Sequence, residues 1–295
     1  MDRIGAMTVF TRIVETRSFT KVASDLGLPR STVTDAIKAL ETRLGVSLLH
    51  RTTRVVRPTL DGEAYYQRCM SILSEIEDAE DGFAGTTPKG KLRIEVHGTL
   101  ARHFLLPTLP DFLERYPDIK LHIGEGDRLV DLVREGVDCA VRVGDPVDSE
   151  MIGCKLSDLE EVTCAAPSYL ERFGTPLNID ELEGHRMVGF RSTVKGSILP
   201  LEFVQNGKLR TVSLPSTVTV SGADTLAHCA RLGIGIIQKP RYSAAEDIES
   251  GRLIELLKDT PPTSSPVSIF YPRDRYMSPR VRVFIDWAVR AFENR

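Results

Sequence analysis

The chain has 295 residues, of which 41% are hydrophobic and 27% are charged, and this ordinary globular composition excludes a disordered or collagen-like chain. At roughly 150 residues per domain the length predicts about two folding units, and no apolar run approaches the roughly 20 residues that span a bilayer. The first residues lack the apolar stretch of a signal peptide. Five cysteines without a Cys-x-x-Cys pair predict reduced thiols, with neither a disulfide framework nor a zinc site. We therefore expect a cytoplasmic protein with no membrane partner.

The net charge of −3 conceals two parts of opposite sign. Residues 1–60 contain ten basic and five acidic side chains, hence a charge of +5, which leaves −8 for the remainder. Charge alone is weak evidence, because a solvated basic face also arises without any function. Even so, a basic head on an acidic body predicts nucleic acid as the partner at one end and a different partner at the other.

Residues 1–58 have the pattern of a winged helix-turn-helix. Apolar spacing predicts helices over 3–16 and 19–26, and a third helix between Pro29 and Gly45. The third helix has a polar, hydroxyl-rich face that is typical of a DNA-reading helix, with candidate DNA contacts at Arg30, Ser31, Thr32, Thr34, Asp35 and Lys38. The alternative is a helical hairpin whose polar face contacts only water.

The segment that follows favours the DNA-reading alternative. Residues 46–59 hold two apolar pairs separated by a basic, threonine-containing bend. This pattern predicts a two-stranded wing, with Arg51 and Arg54 at phosphates or in the minor groove.

The head resembles that of LysR-type transcriptional regulators. The segments that carry the resemblance are SFTKVA at 18–23, STVTDAIKALE at 31–41, LG at 44–45, LLHRTTR at 48–54 and TLDG at 59–62. The resemblance implies a sequence-specific transcriptional regulator that acts as a homodimer, usually as a homotetramer made of two dimers, and RNA polymerase is a further candidate partner. Asp35 departs from the family, whose members often carry a basic or amide residue there. A carboxylate repels phosphate but accepts from the cytosine amino group, so the operator sequences of relatives do not transfer.

Residues 59–86 predict a linker helix suited to dimerisation. Apolar residues step alternately by four and by three, as in the heptad seam of a coiled coil, at Tyr65, Cys69, Ile72, Ile76, Ala79 and Phe83. So narrow a seam on an otherwise polar helix favours a partner helix, and packing onto its own domain is the alternative. A dimer supplies two reading heads and therefore predicts double-stranded DNA with an interrupted inverted repeat as the target.

Strand and helix patterns alternate through residues 91–295, which predicts parallel sheets with crossover helices. Three segments resemble the type-2 periplasmic-binding-protein fold, the usual effector domain of LysR-type regulators, namely 112–117, 131–138 with 142–144, and 232–236. Two lobes are expected, one over 91–161 and 267–295 and the other over 162–266. The predicted fold class is α/β overall: an N-terminal all-α winged helix-turn-helix, a long linker helix and two Rossmann-like α/β lobes of the periplasmic-binding-protein type.

Ligands of open α/β sheets bind beyond the carboxyl ends of the strands, often at helix N-termini that attract anions. Positions of this kind, together with two arginines able to pair with a carboxylate, make up a candidate effector site of Thr99, Gly126, Arg142, Arg191, Ser221 and Asp224. By resemblance, Thr99 matches the hydroxyl position that often holds the effector. The structural alternatives are helix caps for the hydroxyls and surface ion pairs for the arginines. We expect an anionic small-molecule effector, a carboxylate.

No enzyme is expected. The sequence has neither a His-Glu-x-x-His zinc motif nor a Gly-x-Ser-x-Gly nucleophile elbow, so no catalytic residue, cofactor or metal is assigned. His97 and His103 flank the expected effector entrance and are predicted to be packing or surface residues. The alternatives are a cytosolic solute-binding protein, against which the basic head argues, and an α/β enzyme with an appended helical domain, which would need acid/base residues that the sequence does not reveal.

Overall fold

The computed structural model describes residues 1–51, 56–84, 87–126, 132–144, 151–193, 196–273 and 277–293. The head and the linker helix consist of α1 (Arg3–Thr16), α2 (Phe19–Asp25), α3 (Arg30–Leu44), β1 (Leu49–Arg51), β2 (Val56–Pro58) and α4 (Leu60–Ala84). These elements confirm the predicted three helices, wing and linker helix. Arg54 and the side chain of Arg51 lie outside the described part of the chain.

Side-chain caps and a glycine set the helix ends in the head. The Asp2 carboxylate accepts a hydrogen bond from the N–H of Gly5 at 2.7 Å, and the Ser18 hydroxyl accepts one from the N–H of Lys21 at 3.2 Å. Both bonds satisfy donors that a helix start leaves unpaired. Helix α3 ends at Gly45, whose φ of 73° lies in the left-handed region that glycine adopts without strain. Local sequence therefore determines these boundaries.

The wing is fixed to its neighbouring helices by side chains that bond to its backbone. The Glu41 carboxylate of α3 accepts from the N–H groups of Leu48 at 2.9 Å and Leu49 at 3.2 Å. The Thr59 hydroxyl donates to the carbonyl oxygen of Ser47 at 2.7 Å. The reading helix, the wing and the start of α4 thus form one unit.

The effector part of the chain folds as two lobes. Its elements in chain order are β3 (Gly90–Val96), α5 (Gly98–Leu100), α6 (Leu109–Arg115), β4 (Ile119–Glu125), α7 (Leu132–Glu135), β5 (Cys139–Val143), β6 (Met151–Leu159), β7 (Glu161–Ala165), α8 (Pro167–Phe173), β8 (Gly189–Phe190), β9 (Leu201–Gln205), β10 (Lys208–Val212), β11 (Thr219–Val220), α9 (Ala223–Arg231), β12 (Ile237–Pro240), α10 (Arg241–Glu249), β13 (Ile254–Leu256), β14 (Ser265–Pro272) and α11 (Pro279–Glu293). The first lobe contains β3 to β6, β14 and α11, and the second lobe contains β7 to β13.

The sheet of the first lobe is mixed. Its strand order is β4-β3-β5-β14-β6, and β3 runs parallel to β4 and β5 as predicted. The expectation of a parallel sheet is wrong for the other half, where β14 is antiparallel to both β5 and β6. The reason is topological, because β6 leads out to the second lobe and β14 leads back from it.

The helical segment between β3 and β4 is not one continuous α-helix. A π-helical turn at Ala101–Leu105 follows α5, a 3-10 turn at Leu106–Thr108 comes next, and only then does α6 begin. Pro107 and Pro110 lack the N–H groups that a regular α-helix would use. Irregular helical turns of this kind are frequent at functional sites, and this one carries Arg102 and His103.

The expectation of parallel sheets is only partly met in the second lobe. Strand β7 lies between β12 and β13 and is antiparallel to both, whereas β8 and β11 form a parallel pair. A hairpin of β9 and β10 turns at Asn206-Gly207, where φ is 51° and 72°. An Asn-Gly pair between two apolar runs is a strong signal for this turn, and it is visible in the sequence.

The linker helix and the head both contact the effector part of the chain. The Arg280 guanidinium of α11 donates to the Ser74 hydroxyl of α4 at 2.6 Å, and Lys91 Nζ lies 2.9 Å from Glu15 Oε1 of α1. Both contacts are polar, as is typical of contacts between domains that separate readily. Among the described residues, no helix combines the length and the apolar character needed to cross a membrane.

Gly62 is required where α4 approaches the wing, and we predict that Gly62→Ala destabilises the head. An added Cβ would stand 1.9 Å from the carbonyl oxygen of Leu48, so α4 would have to shift. The cost of such overpacking, about 1–3 kcal/mol, exceeds the gain of up to about 1 kcal/mol in helix propensity. Urea unfolding followed by circular dichroism should show a lower midpoint. Gly126→Ala is the matched control, since no described atom lies within 4 Å of that Cβ position, and an equal loss in both variants would refute the contact.

Candidate functional sites

The reading face of α3 points to solvent at the N-terminal half of the helix. Val33, Ile37 and Leu40 are buried in the core of the head, and the predicted DNA contacts lie on the other side. The exposed ones are Arg30, Ser31, Asp35 and Lys38, and the half-buried ones are Thr32 and Thr34. This face has the side-chain chemistry for the floor and the walls of a DNA groove.

The hydroxyl of Thr34 is partly engaged within the helix. It donates to the carbonyl oxygen of Arg30 at 3.0 Å, and its oxygen retains the capacity to accept. On the same face the exposed carboxylate of Asp35 lies one turn from the exposed ammonium of Lys38. The face therefore presents both signs of charge.

The predicted seam of α4 is divided between two environments. Tyr65 and Cys69 face the head of their own chain, where the ring of Tyr65 lies 5.5 Å from that of Phe10 and Cys69 is fully buried. Burial raises the pKa of the Cys69 thiol to about 11, so it is an uncharged packing residue. Ile72, by contrast, is 39% exposed and Ile76 is half-buried. The side chains of Ala79 and Phe83 lie outside the described part.

Thr99 lies where the two lobes meet, at the carboxyl end of β3. Its hydroxyl oxygen is 2.9 Å from His97 Nδ1 and 2.8 Å from the hydroxyl of Tyr242, which belongs to α10 of the second lobe. The ring of Tyr242 lies 4.6 Å from the ring of His103 and 5.0 Å from that of Phe104. Thr99 is therefore the centre of a contact between the lobes.

Arg102 joins three elements at the same place. Its guanidinium lies 3.4 Å from the carboxylate of Glu125, at the end of β4, and 2.5 Å from that of Asp224, in the first turn of α9. Arg102 thus links the first lobe to the second. All three side chains are about half exposed or more, so they are open to solvent.

The other candidate effector residues occupy separate positions. Arg142 lies 3.8 Å from Glu95 on the neighbouring strand, and the side chain of Glu95 covers Gly124, where an added Cβ would stand 1.9 Å from its carboxylate. Arg191 donates to the carbonyl oxygen of Gly196 within its own loop. Gly126 directly follows β4, and Ser221 is exposed just before α9. Arg102, three residues after Thr99, thus connects this part of the first lobe to Asp224 of the second lobe. Arg191 instead forms its hydrogen bond within its own loop.

Tyr242 and Arg102 were missed by sequence reasoning. Tyr242 lies 143 residues from Thr99 in the chain, and nothing local to it indicates a partner. Arg102 carried a weak signal, because it follows the predicted strand end by a few residues. Burial raises the pKa of the Tyr242 hydroxyl to about 12, so the phenol stays protonated and can donate at neutral pH.

The described residues offer no group of three or more histidine, cysteine, aspartate or glutamate side chains placed to hold a metal ion. All five cysteines are free thiols. The polar groups that the structure places where the lobes meet are guanidinium, carboxylate, hydroxyl and imidazole groups.

Known proteins match both parts of the chain. A family model described as "Bacterial regulatory helix-turn-helix protein, lysR family" matches residues 4–63, and one described as "LysR substrate binding domain" matches residues 85–293. A helix-turn-helix transcriptional regulator of Escherichia coli (strain K12) is 36% identical, over 97% of this chain and 97% of its own. A helix-turn-helix transcriptional repressor of Pseudomonas aeruginosa (strain UCBPP-PA14) is 33% identical, over 99% of this chain and 93% of its own.

A solved structure has the same arrangement. CrgA, a LysR-type transcriptional regulator from Neisseria meningitidis, matches with a TM-score of 0.61 and 32% identity, covering 98% of each chain. Its match spans the head, the linker helix and the two lobes. The chain therefore belongs to the LysR family of transcriptional regulators, in which a helix-turn-helix DNA-binding head is joined to an effector-binding domain.

Proposed function

We propose that this regulator binds an interrupted inverted repeat in double-stranded DNA as a homodimer or homotetramer, and that a carboxylate effector modulates this binding. The observation that carries the proposal is the exposed polar face of α3 beside the wing, in a head that continues directly into a long helix. A head of this form docks α3 in the major groove. We divide the chain accordingly into a DNA-binding domain (1–58), a linker helix (59–86) and an effector domain (91–295).

The DNA contacts are assigned by chemistry. Arg30 and Lys38, with Arg51 and Arg54 of the wing, neutralise phosphates and contribute most of the affinity. The short side chains of Ser31, Thr32 and Thr34 read base edges, and Asp35 accepts from a cytosine amino group. A carboxylate on the reading face lowers the general affinity for DNA because it repels phosphate. It raises specificity, however, because it disfavours bases that present only hydrogen-bond acceptors in the groove.

Dimerisation is assigned to the part of α4 beyond the head. Because Tyr65 and Cys69 are used within the chain, Ile72 and Ile76, followed by Ala79 and Phe83, supply the apolar seam for a partner helix. Two helices joined in this way hold two heads at a fixed separation, which suits two half-sites.

The effector is assigned to the cleft between the lobes. Thr99 and Arg102 in the first lobe and Asp224 in the second supply a hydroxyl, a guanidinium and a carboxylate, with Gly126, Arg142, Arg191 and Ser221 as the outer positions. A guanidinium binds a carboxylate through two hydrogen bonds. In this proposal the protein is not an enzyme, and it acts in the cytoplasm, where its DNA lies. RNA polymerase is a further partner, which contacts the DNA-bound dimer.

Lys38→Ala should weaken the binding of every DNA sequence alike. Loss of one phosphate contact in each head lowers the slope of log affinity against log salt by about one unit per contact. Fluorescence anisotropy at several salt concentrations, with operator and random duplexes, measures both quantities. Lys258→Ala, which removes an exposed lysine of the second lobe, is the control. A Lys38→Ala variant that loses affinity for one sequence only would contradict the assignment.

Asp35→Asn should have the opposite effect and raise the affinity for random DNA.

Ile76→Glu should convert the dimer into monomers with weak operator affinity. A carboxylate in an apolar seam has no partner and costs more free energy than the seam supplies at that position. Light scattering coupled to gel filtration measures the mass. Ile254→Glu places the same charge at an isoleucine that is 42% exposed on the second lobe and should leave the mass unchanged. A dimer that persists in Ile76→Glu would place the interface elsewhere.

Thr99→Val should reduce the stabilisation by a carboxylate that changes DNA affinity. The change keeps the shape and removes the hydroxyl, and a lost hydrogen bond to a charged group lowers the affinity by about tenfold or more. Thermal-shift screening of a carboxylate library identifies the ligand. Tyr242→Phe is the matched control, because it breaks the same contact between the lobes but keeps the Thr99 hydroxyl. Equal stabilisation of Thr99→Val and the parent would reduce Thr99 to a structural residue.

A further inference from the structure

The charges at the mouth of the cleft do not add up to a site for a simple anion. Arg102 has two carboxylate neighbours, Glu125 and Asp224, and Arg142 faces the carboxylate of Glu95. Arg102 with its two carboxylates thus carries a net charge of −1, and Arg142 with Glu95, at a separate position, is neutral.

A ligand that brings only a carboxylate would be poorly accommodated. To bind Arg102 it would have to replace Asp224 or Glu125, and the displaced carboxylate would then lie beside the new anion without its cation. Adjacent like charges repel, and this juxtaposition costs free energy. The arrangement therefore selects against a lone negative charge.

A ligand that brings both signs avoids this cost. Its carboxylate takes the place of Asp224 on Arg102, and its ammonium group takes the place of Arg102 on Asp224, so every charge keeps a partner. We propose that the effector of this cleft is a zwitterion with the chemistry of an α-amino acid, which binds by inserting between Arg102 and Asp224. The proposal rests on the proposed function, since it refines the carboxylate assigned to the same cleft.

The bonding of Thr99 fits the same ligand. A hydroxyl offers one proton and two lone pairs, and the bonds to His97 and Tyr242 use two of these three. When the proton of Thr99 lies in either bond, a lone pair is left. In that case the lone pair accepts from the ammonium N–H of the ligand.

Insertion also explains how the ligand would act on the protein. Arg102 belongs to the first lobe and Asp224 to the second, so a ligand placed between them lengthens the link and changes the angle between the lobes. A ligand that binds one orientation better shifts the population toward it.

The test compares matched ligands on the full chain. The proteinogenic α-amino acids and the corresponding acids that lack the amino group are titrated by calorimetry. We expect at least one amino acid to bind at least tenfold more tightly than its deaminated partner, and Asp224→Asn to reduce that ratio at least tenfold. Asp180→Asn, which breaks the exposed pair with Arg210 in the same lobe at 2.6 Å, should keep the ratio.

Three results would overturn the proposal: equal or tighter binding of a deaminated acid, no binding by any amino acid, or an unchanged ratio in Asp224→Asn. The DNA affinity of the same preparations for the region upstream of the gene separates the two levels. If the parent binds that DNA while amino acids have no effect, only the zwitterion is refuted. If it binds no DNA, the proposed function itself fails.

Discussion

The close approach of Gly62 to the carbonyl oxygen of Leu48 fixes the linker helix to the DNA-reading head. With no side chain in the way, α4 lies directly against the wing, Thr59 caps it, and Cys69 completes the core of the head two turns later. The head and the first half of α4 consequently move as one body. Any change in the direction of α4 is therefore a change in the position of the reading helix.

The effector domain is held against the linker helix and the head by polar contacts. Arg280 reaches Ser74 on α4, and Lys91 reaches Glu15 on α1. Arg280 is almost fully buried and lies 3.8 Å from Asp138, whereas Lys91 is about half exposed. An exposed ion pair contributes about 0–1 kcal/mol, so Lys91 adds little to the attachment of the effector domain to the head.

The cleft between the lobes has a similar balance. Arg102 and Asp224 are open to solvent, so their pair contributes little by itself, and the partly buried bond of Tyr242 to Thr99 supplies the more specific link. A tenfold change in DNA affinity needs a difference of only about 1.4 kcal/mol between two states. Contacts of this size suffice for regulation, and stronger ones would lock the lobes in one orientation.

The sequence by itself determined the head, because each signal there is local. Ser18, Gly45 and the apolar spacing of α3 act within a few residues of the chain, and the reading face follows from the helical period. The sequence also determined the two-lobed fold class, by resemblance and by the alternation of elements. Only the tertiary structure decided which seam residues of α4 remain for a partner helix. Tyr65 and Cys69 pack in the core of the head, against Phe10 of α1 and its neighbours. The partners of Thr99 and Arg102 were decided in the same way. Tyr242 and Asp224 come from the second lobe, more than 100 residues later, and a contact that closes across so long a loop leaves no trace in local periodicity.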